Sequence, residues 1–111
     1  MAVTAECRAY VLDQIGRIVP VSARSMFGGV GLYSEGLFFG LIDDDRVYLK
    51  VDDANRQGFI DVRSGPFRPY GEDARPMSYY ELPADRLESL ELLKPWIEGS
   101  IEVARRSKRR K

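Results

Sequence analysis

A chain of 111 residues, 44% hydrophobic and 31% charged, has room for one core and enough apolar surface to close it, which excludes disorder, collagen-like repetition and two substantial domains. With no histidine and a single cysteine, Cys7, it cannot support Ser-His-Asp or Cys-His catalysis, His-ligated zinc, a CxxC redox pair or an intrachain disulfide. The net charge of zero conceals a split: six of the last seven residues are basic, and taking those six from the 17 Lys and Arg leaves 11 basic against 17 acidic residues in positions 1–104.

From Val3 to Ile18 the apolar residues Val3, Cys7, Tyr10, Val11, Ile15 and Ile18 recur at steps of three and four, the pattern of an amphipathic helix that Pro20 closes. Cys7 on that stripe reads as a small buried hydrophobe. The period then changes. Two short strands joined by the Gly36 turn account for the stretch from Met26 through Ile42, and Asp43, Asp44 and Asp45 form the next hairpin turn. Val47, Leu49 and Val51 alternate with Tyr48 and Lys50 in a third strand, completing an antiparallel meander.

Asp52 is placed to cap a short helix running to about Gln57, with Gly58 as its stop. Residues 63–76 carry Gly65, Pro66, Pro69, Gly71 and Pro76, too many breakers for a central strand, so they read as an ordered loop anchored by Phe67 and Tyr70. Met77–Leu82 reads as a further strand and Pro83 as the start of a helical region. Because Pro95 clashes one turn back, the spacing predicts two helices divided near Lys94, the second holding Trp96, Ile97, Ile101 and Ala104. The fold class is therefore α+β: an antiparallel sheet packed by an N-terminal helix and C-terminal helices in two layers. Residues 1–104 form the single domain and residues 105–111 a basic, disordered tail. Neither a signal peptide nor an apolar run of roughly 18 residues is present, so a cytoplasmic chain without membrane contact is expected.

Several segments invite a functional reading. Successive glycines from Gly28 to Gly31 could bring backbone amides to an anion, with Arg24 beside them, but the spacing matches neither GxxxxGK[ST] nor GxGxxG, and a strand bend or close packing explains it better. The aspartates at 43–45 lack the ligand spacing of a calcium loop. No metal and no cofactor is expected. Tyr79 and Tyr80 must point to opposite faces of a regular strand, so at least one is available to a partner or a second copy. Trp96 reads as a clamp between the closing helix and the sheet, a dimer contact being the alternative. The cations Arg105, Arg106, Lys108, Arg109, Arg110 and Lys111 offer a solvated end, a weak nonspecific nucleic-acid contact or a docking tail, without any aromatic residue among them to stack on bases.

The order of motifs resembles a family. Arg24-Ser25-Met26-Phe27-Gly28-Gly29, Gly31-Leu32-Tyr33 with the Gly36 turn, Val47-Tyr48-Leu49-Lys50-Val51, Phe67 with Tyr70, Met77-Ser78-Tyr79-Tyr80-Glu81-Leu82-Pro83 and Trp96 together look like the N-terminal domain of the TfoX/Sxy competence regulators. That resemblance implies an α+β domain and a bacterial regulatory or adaptor role, since full-length members act as co-activators beside a cyclic-AMP-responsive DNA-binding regulator. It supplies no catalytic residues, and the second domain of those regulators is expected to be absent. The expected function is a non-enzymatic, regulatory protein-interaction module whose partner is another protein, a transcription regulator foremost, with homodimerisation as a side expectation. Arg24, Phe27, Gly28, Gly29, Tyr79, Tyr80 and Trp96 are the candidate partner-binding residues. Weak nucleic-acid binding by the basic tail is the alternative.

Overall fold

In the computed structural model, which describes residues 3–26, 28–67 and 78–109, five antiparallel strands form one sheet with helices on one of its sides. Helix α1 (Ala5–Gly16) leads into β1 (Ser22–Met26), β2 (Gly29–Ser34), β3 (Leu37–Asp43) and β4 (Arg46–Lys50); α2 (Arg56–Asp61), β5 (Tyr79–Glu81), α3 (Ala84–Glu88) and α4 (Leu90–Arg109) follow. Strand order equals chain order, β1-β2-β3-β4-β5, so each strand pairs with its predecessor. The α+β class and the meander expected from the sequence are both present. Among the described residues, no helix is long and apolar enough to cross a membrane.

Two hairpin turns set the register. Glu35 and Gly36 (φ 50° and 82°) join β2 to β3, and Asp44 and Asp45 (φ 53° and 58°) join β3 to β4. Left-handed geometry at both central residues is the two-residue turn whose twist matches the strands, and Gly and Asp accept it at low cost. The Asp45 carboxylate also accepts hydrogen bonds from the Thr4 amide (2.8 Å) and the Thr4 hydroxyl (3.1 Å). Thr4 in turn caps α1 by accepting from the Cys7 amide. The aspartate turn is thus a turn, as expected, and one that seats the first helix.

The core lies between the sheet and the helices. Val30, Leu32, Phe39, Ile42, Val47 and Leu49 project from the sheet onto Val11 and Ile15 of α1, Phe59 of α2, Leu87 of α3, and Leu93, Ile97 and Ile101 of α4. Burying each side chain of this size contributes about 1.5–3 kcal/mol. A bulge interrupts β3: Leu32 pairs with Gly40 and Tyr33 with Phe38, leaving Phe39 as the extra residue, and its ring is fully buried. The buried Ser100 hydroxyl donates to the Lys50 carbonyl (2.8 Å), which also accepts from the Asn55 side-chain amide (3.1 Å), so α4, α2 and the end of β4 meet on one oxygen.

Five local expectations are corrected. Strand β1 was not expected; its sequence Ser-Ala-Arg-Ser-Met is polar because it is a largely exposed sheet edge, and edge strands carry little hydrophobic signal. Helix α2 lies later than the Asp52–Gln57 reading, with Gly58 inside it. It ends instead at Val62 and left-handed Arg63 (φ 62°), where the Arg63 amide bonds Ile60 and the Ser64 amide bonds Phe59. The division between the C-terminal helices falls at extended Ser89 rather than near Lys94. The Ser89 hydroxyl accepts from the Leu92 amide, starting α4 there, and Pro95 sits one turn inside it at an exposed position, where its missing N–H leaves the Glu91 carbonyl without its usual helical donor. Tyr10, assigned to the apolar stripe of α1, is 43% exposed. Past Ala104, where apolar periodicity ends, α4 continues through Arg109, taking in most of the segment read as a disordered tail.

Candidate interaction surface

The side of the sheet facing away from the helices carries the most organised chemistry in the molecule. Residues paired across strands share a face, so Arg24, Tyr33, Phe38, Tyr48, Lys50, Tyr79 and Glu81 all project to this side. The β3 bulge decides part of that arrangement. Without it Phe38 and Leu41 would point to opposite faces; with it, Phe38 pairs with Tyr33 and Leu41 with Gly31 on the same side.

These side chains form a ladder across the sheet. The Arg24 guanidinium lies over the Tyr33 ring at 5.4 Å, Tyr33 stacks on Phe38 at 5.0 Å and 26°, Phe38 meets Tyr79 at 5.7 Å, and the Lys50 ammonium stands 5.2 Å above the Tyr79 ring. Lys50 also donates to the Tyr79 hydroxyl at 3.3 Å. A cation therefore caps each end of a row of three rings, an attraction of about 0.5–1 kcal/mol for the exposed Arg24–Tyr33 pair; at the other end Tyr79 is buried, with 7% of its surface exposed. Beside the row, Phe67 packs on Tyr48 at 4.6 Å, and its amide bonds the Tyr79 carbonyl. Phe67 thereby anchors the loop start as expected; Tyr70 lies outside the described residues.

Two phenols on this face titrate late. Burial, and then the neighbouring Tyr33 phenol, push the Tyr79 hydroxyl up to about 12. Burial and Glu81 push Tyr48 up, with Arg46 opposing. Both therefore stay neutral throughout the physiological range.

The other candidate residues divide between structural work and a second cluster. Gly28 (φ 81°) follows β1 in the turn, and a Cβ at Gly29 would lie 2.5 Å from the Ile42 carbonyl oxygen, so Gly29 permits close strand pairing. Phe27 lies outside the described residues. Arg24 faces Tyr33 rather than an amide cradle. Tyr80, adjacent to Tyr79, projects to the core side against Phe59 (5.8 Å), and Trp96 meets the same ring edge-on at 4.6 Å. Trp96 thus clamps α4 to α2 rather than directly to the sheet. The candidate set therefore splits between two faces: Arg24 and Tyr79 on one, Tyr80 and Trp96 on the other.

The basic end divides as well. Arg106 forms a charge-paired fork on Asp52, and Arg105 pairs with Glu102, whereas Lys108 and Arg109 are exposed in the last turn of α4. Arg110 and Lys111 lie outside the described residues. Among the described residues, no group of three or more Cys, Asp or Glu is placed to hold a metal ion. Sequence reasoning missed Tyr33, Phe38 and Lys50 as ladder members. Alternation along β2 could have placed Tyr33, but Phe38 depends on the bulge and Lys50 on a pairing between distant strands.

The meander, the glycine-tight β2–β3 pairing and the closing helix with Trp96 occupy the segments that carry the resemblance described above, and a model of the TfoX N-terminal domain matches residues 13–104. The chain belongs to the TfoX N-terminal domain family. It is also 36% identical over 73 residues to an uncharacterised 12.7 kDa protein in the trpE 5′ region of Spirochaeta aurantia. That match covers 66% of this chain and 64% of the relative, so the chain spans somewhat less than two thirds of that protein. As a TfoX N-terminal domain, this chain carries its ladder on the one sheet face that its own helices leave uncovered.

Proposed function

We propose that this TfoX-family domain is a non-enzymatic regulatory adaptor that binds a protein partner, a DNA-binding transcription regulator, through the cation-capped face of its sheet. The single observation that supports the reading is the row Arg24–Tyr33–Phe38–Tyr79–Lys50. Aromatic rings with an arginine at their margin are the residue types that dominate protein interfaces, because they bury much area at low entropic cost while offering directed polar contacts. Arg24, exposed at the margin of the row, suits an acidic group on the partner. The family resemblance, whose full-length members act beside a DNA-binding regulator, favours that class of partner.

A second reading rests on Lys108 and Arg109, exposed at the end of α4: weak, nonspecific contact with nucleic-acid phosphates. Fluorescence anisotropy of labelled duplex DNA separates the two. The adaptor reading expects no saturable binding by the full chain near physiological salt. Binding that falls steeply with salt and vanishes in a Lys108→Ala, Arg109→Ala variant would replace it with the second.

A further inference from the structure

The sheet ends in β1 on one side and β5 on the other, and the chain treats these edges differently. Residues 64–67 run along β5: Pro66 bridges Tyr80, the Phe67 amide bonds the Tyr79 carbonyl, the Glu81 amide bonds the Gly65 carbonyl, and the Ser64 hydroxyl donates to the Glu81 carbonyl. Among the described residues, no backbone hydrogen bond reaches β1 from its outer side. Every second residue of such an edge turns both its N–H and its C=O outward.

Proteins blunt an open edge with proline, lysine, a bulge or a covering segment, because it is a template for another strand. Among the described residues, β1 has none of these devices. It pairs with β2 in one unbroken register, Ser22↔Tyr33 through Met26↔Gly29, and Ser22, Arg24 and Ser25 are exposed.

The single charge of β1 decides what this edge accepts. Gly31, across from Arg24, has no side chain, and its place is filled by Met26 and Phe38: a Cβ there would lie 2.7 Å from the Met26 methyl and 3.2 Å from the Phe38 ring. Arg24 lies instead over Tyr33, exposed, and has no carboxylate partner among the described residues. An added antiparallel strand sets the residue opposite Arg24 on the same face, with Cβ atoms roughly 4.5–5.5 Å apart. A carboxylate there receives charge-assisted hydrogen bonds from the guanidinium.

A second copy of this chain fits the edge poorly. The antiparallel register that uses the whole of β1 in both copies sets Arg24 directly against Arg24, which like charges disfavour. Sliding by two residues leaves only residues 22–24, or only residues 24–26, paired. A head-to-tail array would need β5, where residues 64–67 already lie.

We infer that β1 is the docking edge for an extended, acidic segment of a protein partner, which joins the sheet as a further antiparallel strand with a carboxylate opposite Arg24. The inference rests on the adaptor reading above and gives it a mode: main-chain hydrogen bonds to β1 hold the segment, and its side chains on the ladder face continue the row beyond Arg24.

A phage-displayed library of random heptapeptides, panned on the full chain, supplies the probe. Enriched peptides are expected to lack proline, to alternate β-branched with polar residues and to carry Asp or Glu. One of them, synthesised, should slow amide exchange at alternate residues of β1 by about tenfold or more, read by NMR. Arg24→Glu should weaken that peptide by about tenfold or more and favour its Lys-substituted counterpart, a reversal that a misfolded variant cannot give. No enrichment, binding that ignores the charge reversal, or binding that leaves β1 exchange unchanged would overturn strand addition. The adaptor reading fails separately, when bacterial lysate yields no partner that depends on the sheet face. A partner retained by that face with β1 exchange unchanged removes strand addition alone.

Discussion

Arg106, near the end of the last helix, grips Asp52, just after the fourth strand, through its Nε (3.1 Å) and its Nη2 (3.0 Å to each carboxylate oxygen). The two side chains are 32% and 27% exposed, so water weakens the pair only in part. Asp52 simultaneously accepts from the Ala54 amide at 2.9 Å, fixing the turn that leads into α2. One carboxylate therefore locks the α2 turn to α4, and a residue that composition assigns to a solvated basic tail belongs to the frame.

Arg106→Ala is expected to lower stability by about 1–2 kcal/mol, seen as a lower urea midpoint. Arg106→Lys recovers part of it, since an ammonium keeps the charge but not the fork. Arg109→Ala, on the same helix turn but exposed, leaves the midpoint unchanged within error.

Gly29→Ala is expected to cost about 2–3 kcal/mol, because the new methyl meets the Ile42 carbonyl and the strands must part. Gly40→Ala should behave alike, its Cβ falling 2.8 Å from the Tyr48 carbonyl oxygen. Thermal melting of both variants checks this; a melting point equal to wild type for either would show that the strand spacing is not set by glycine.

Alkaline titration should resolve Tyr79 from the other tyrosines. Its folded-state value, pushed up to about 12 by burial and by Tyr33, exceeds the ordinary 10.0, so the native state holds the phenol proton more tightly than the unfolded chain does. The stabilisation from the neutral phenol is complete below pH 10 and is lost as pH rises from 10 toward 12. Tyrosinate absorbance at 295 nm should therefore show late ionisation from Tyr79 and Tyr48, of which the Tyr79 part disappears in Tyr79→Phe, and that variant should resist alkaline unfolding better than wild type.

The Cys7 thiol is pushed above its ordinary range by burial first and by the Asp45 carboxylate second. Thiolate is the reactive form, so alkylation by iodoacetamide at pH 8 should run slower in the native chain than in a short peptide. Asp45→Asn should speed it, by removing the carboxylate charge and loosening the Thr4 anchor of α1.

Much of this fold is legible in the residues themselves, and the exceptions share a cause. Strands β2, β3 and β4 announce themselves because apolar runs end in turn residues at Glu35-Gly36 and Asp44-Asp45, where local chemistry alone dictates the backbone. Strand β1 is hidden because an exposed edge needs no apolar side chains. Pro95 misplaces a helix boundary because a hydroxyl six residues earlier, on Ser89, supplies the cap that decides it. The candidate surface is legible only in pieces. Alternation separates Tyr79 from Tyr80, but the ladder depends on a bulge at Phe39 that an unbroken apolar run, Leu37-Phe38-Phe39-Gly40-Leu41-Ile42, cannot reveal. The role of Arg106 depends on a partner 54 residues away.

The most direct test of the adaptor account is affinity capture from bacterial lysate with three forms of the chain: wild type, an Arg24→Glu, Tyr33→Ser variant of the sheet face, and a Lys108→Ala, Arg109→Ala variant of the basic end. Mass spectrometry of the retained proteins should find the same DNA-binding regulator with the wild type and the basic-end variant, reduced about tenfold or more with the sheet-face variant. Retention of an unchanged set by the sheet-face variant, or of nothing above the bead background by the wild type, would contradict the account.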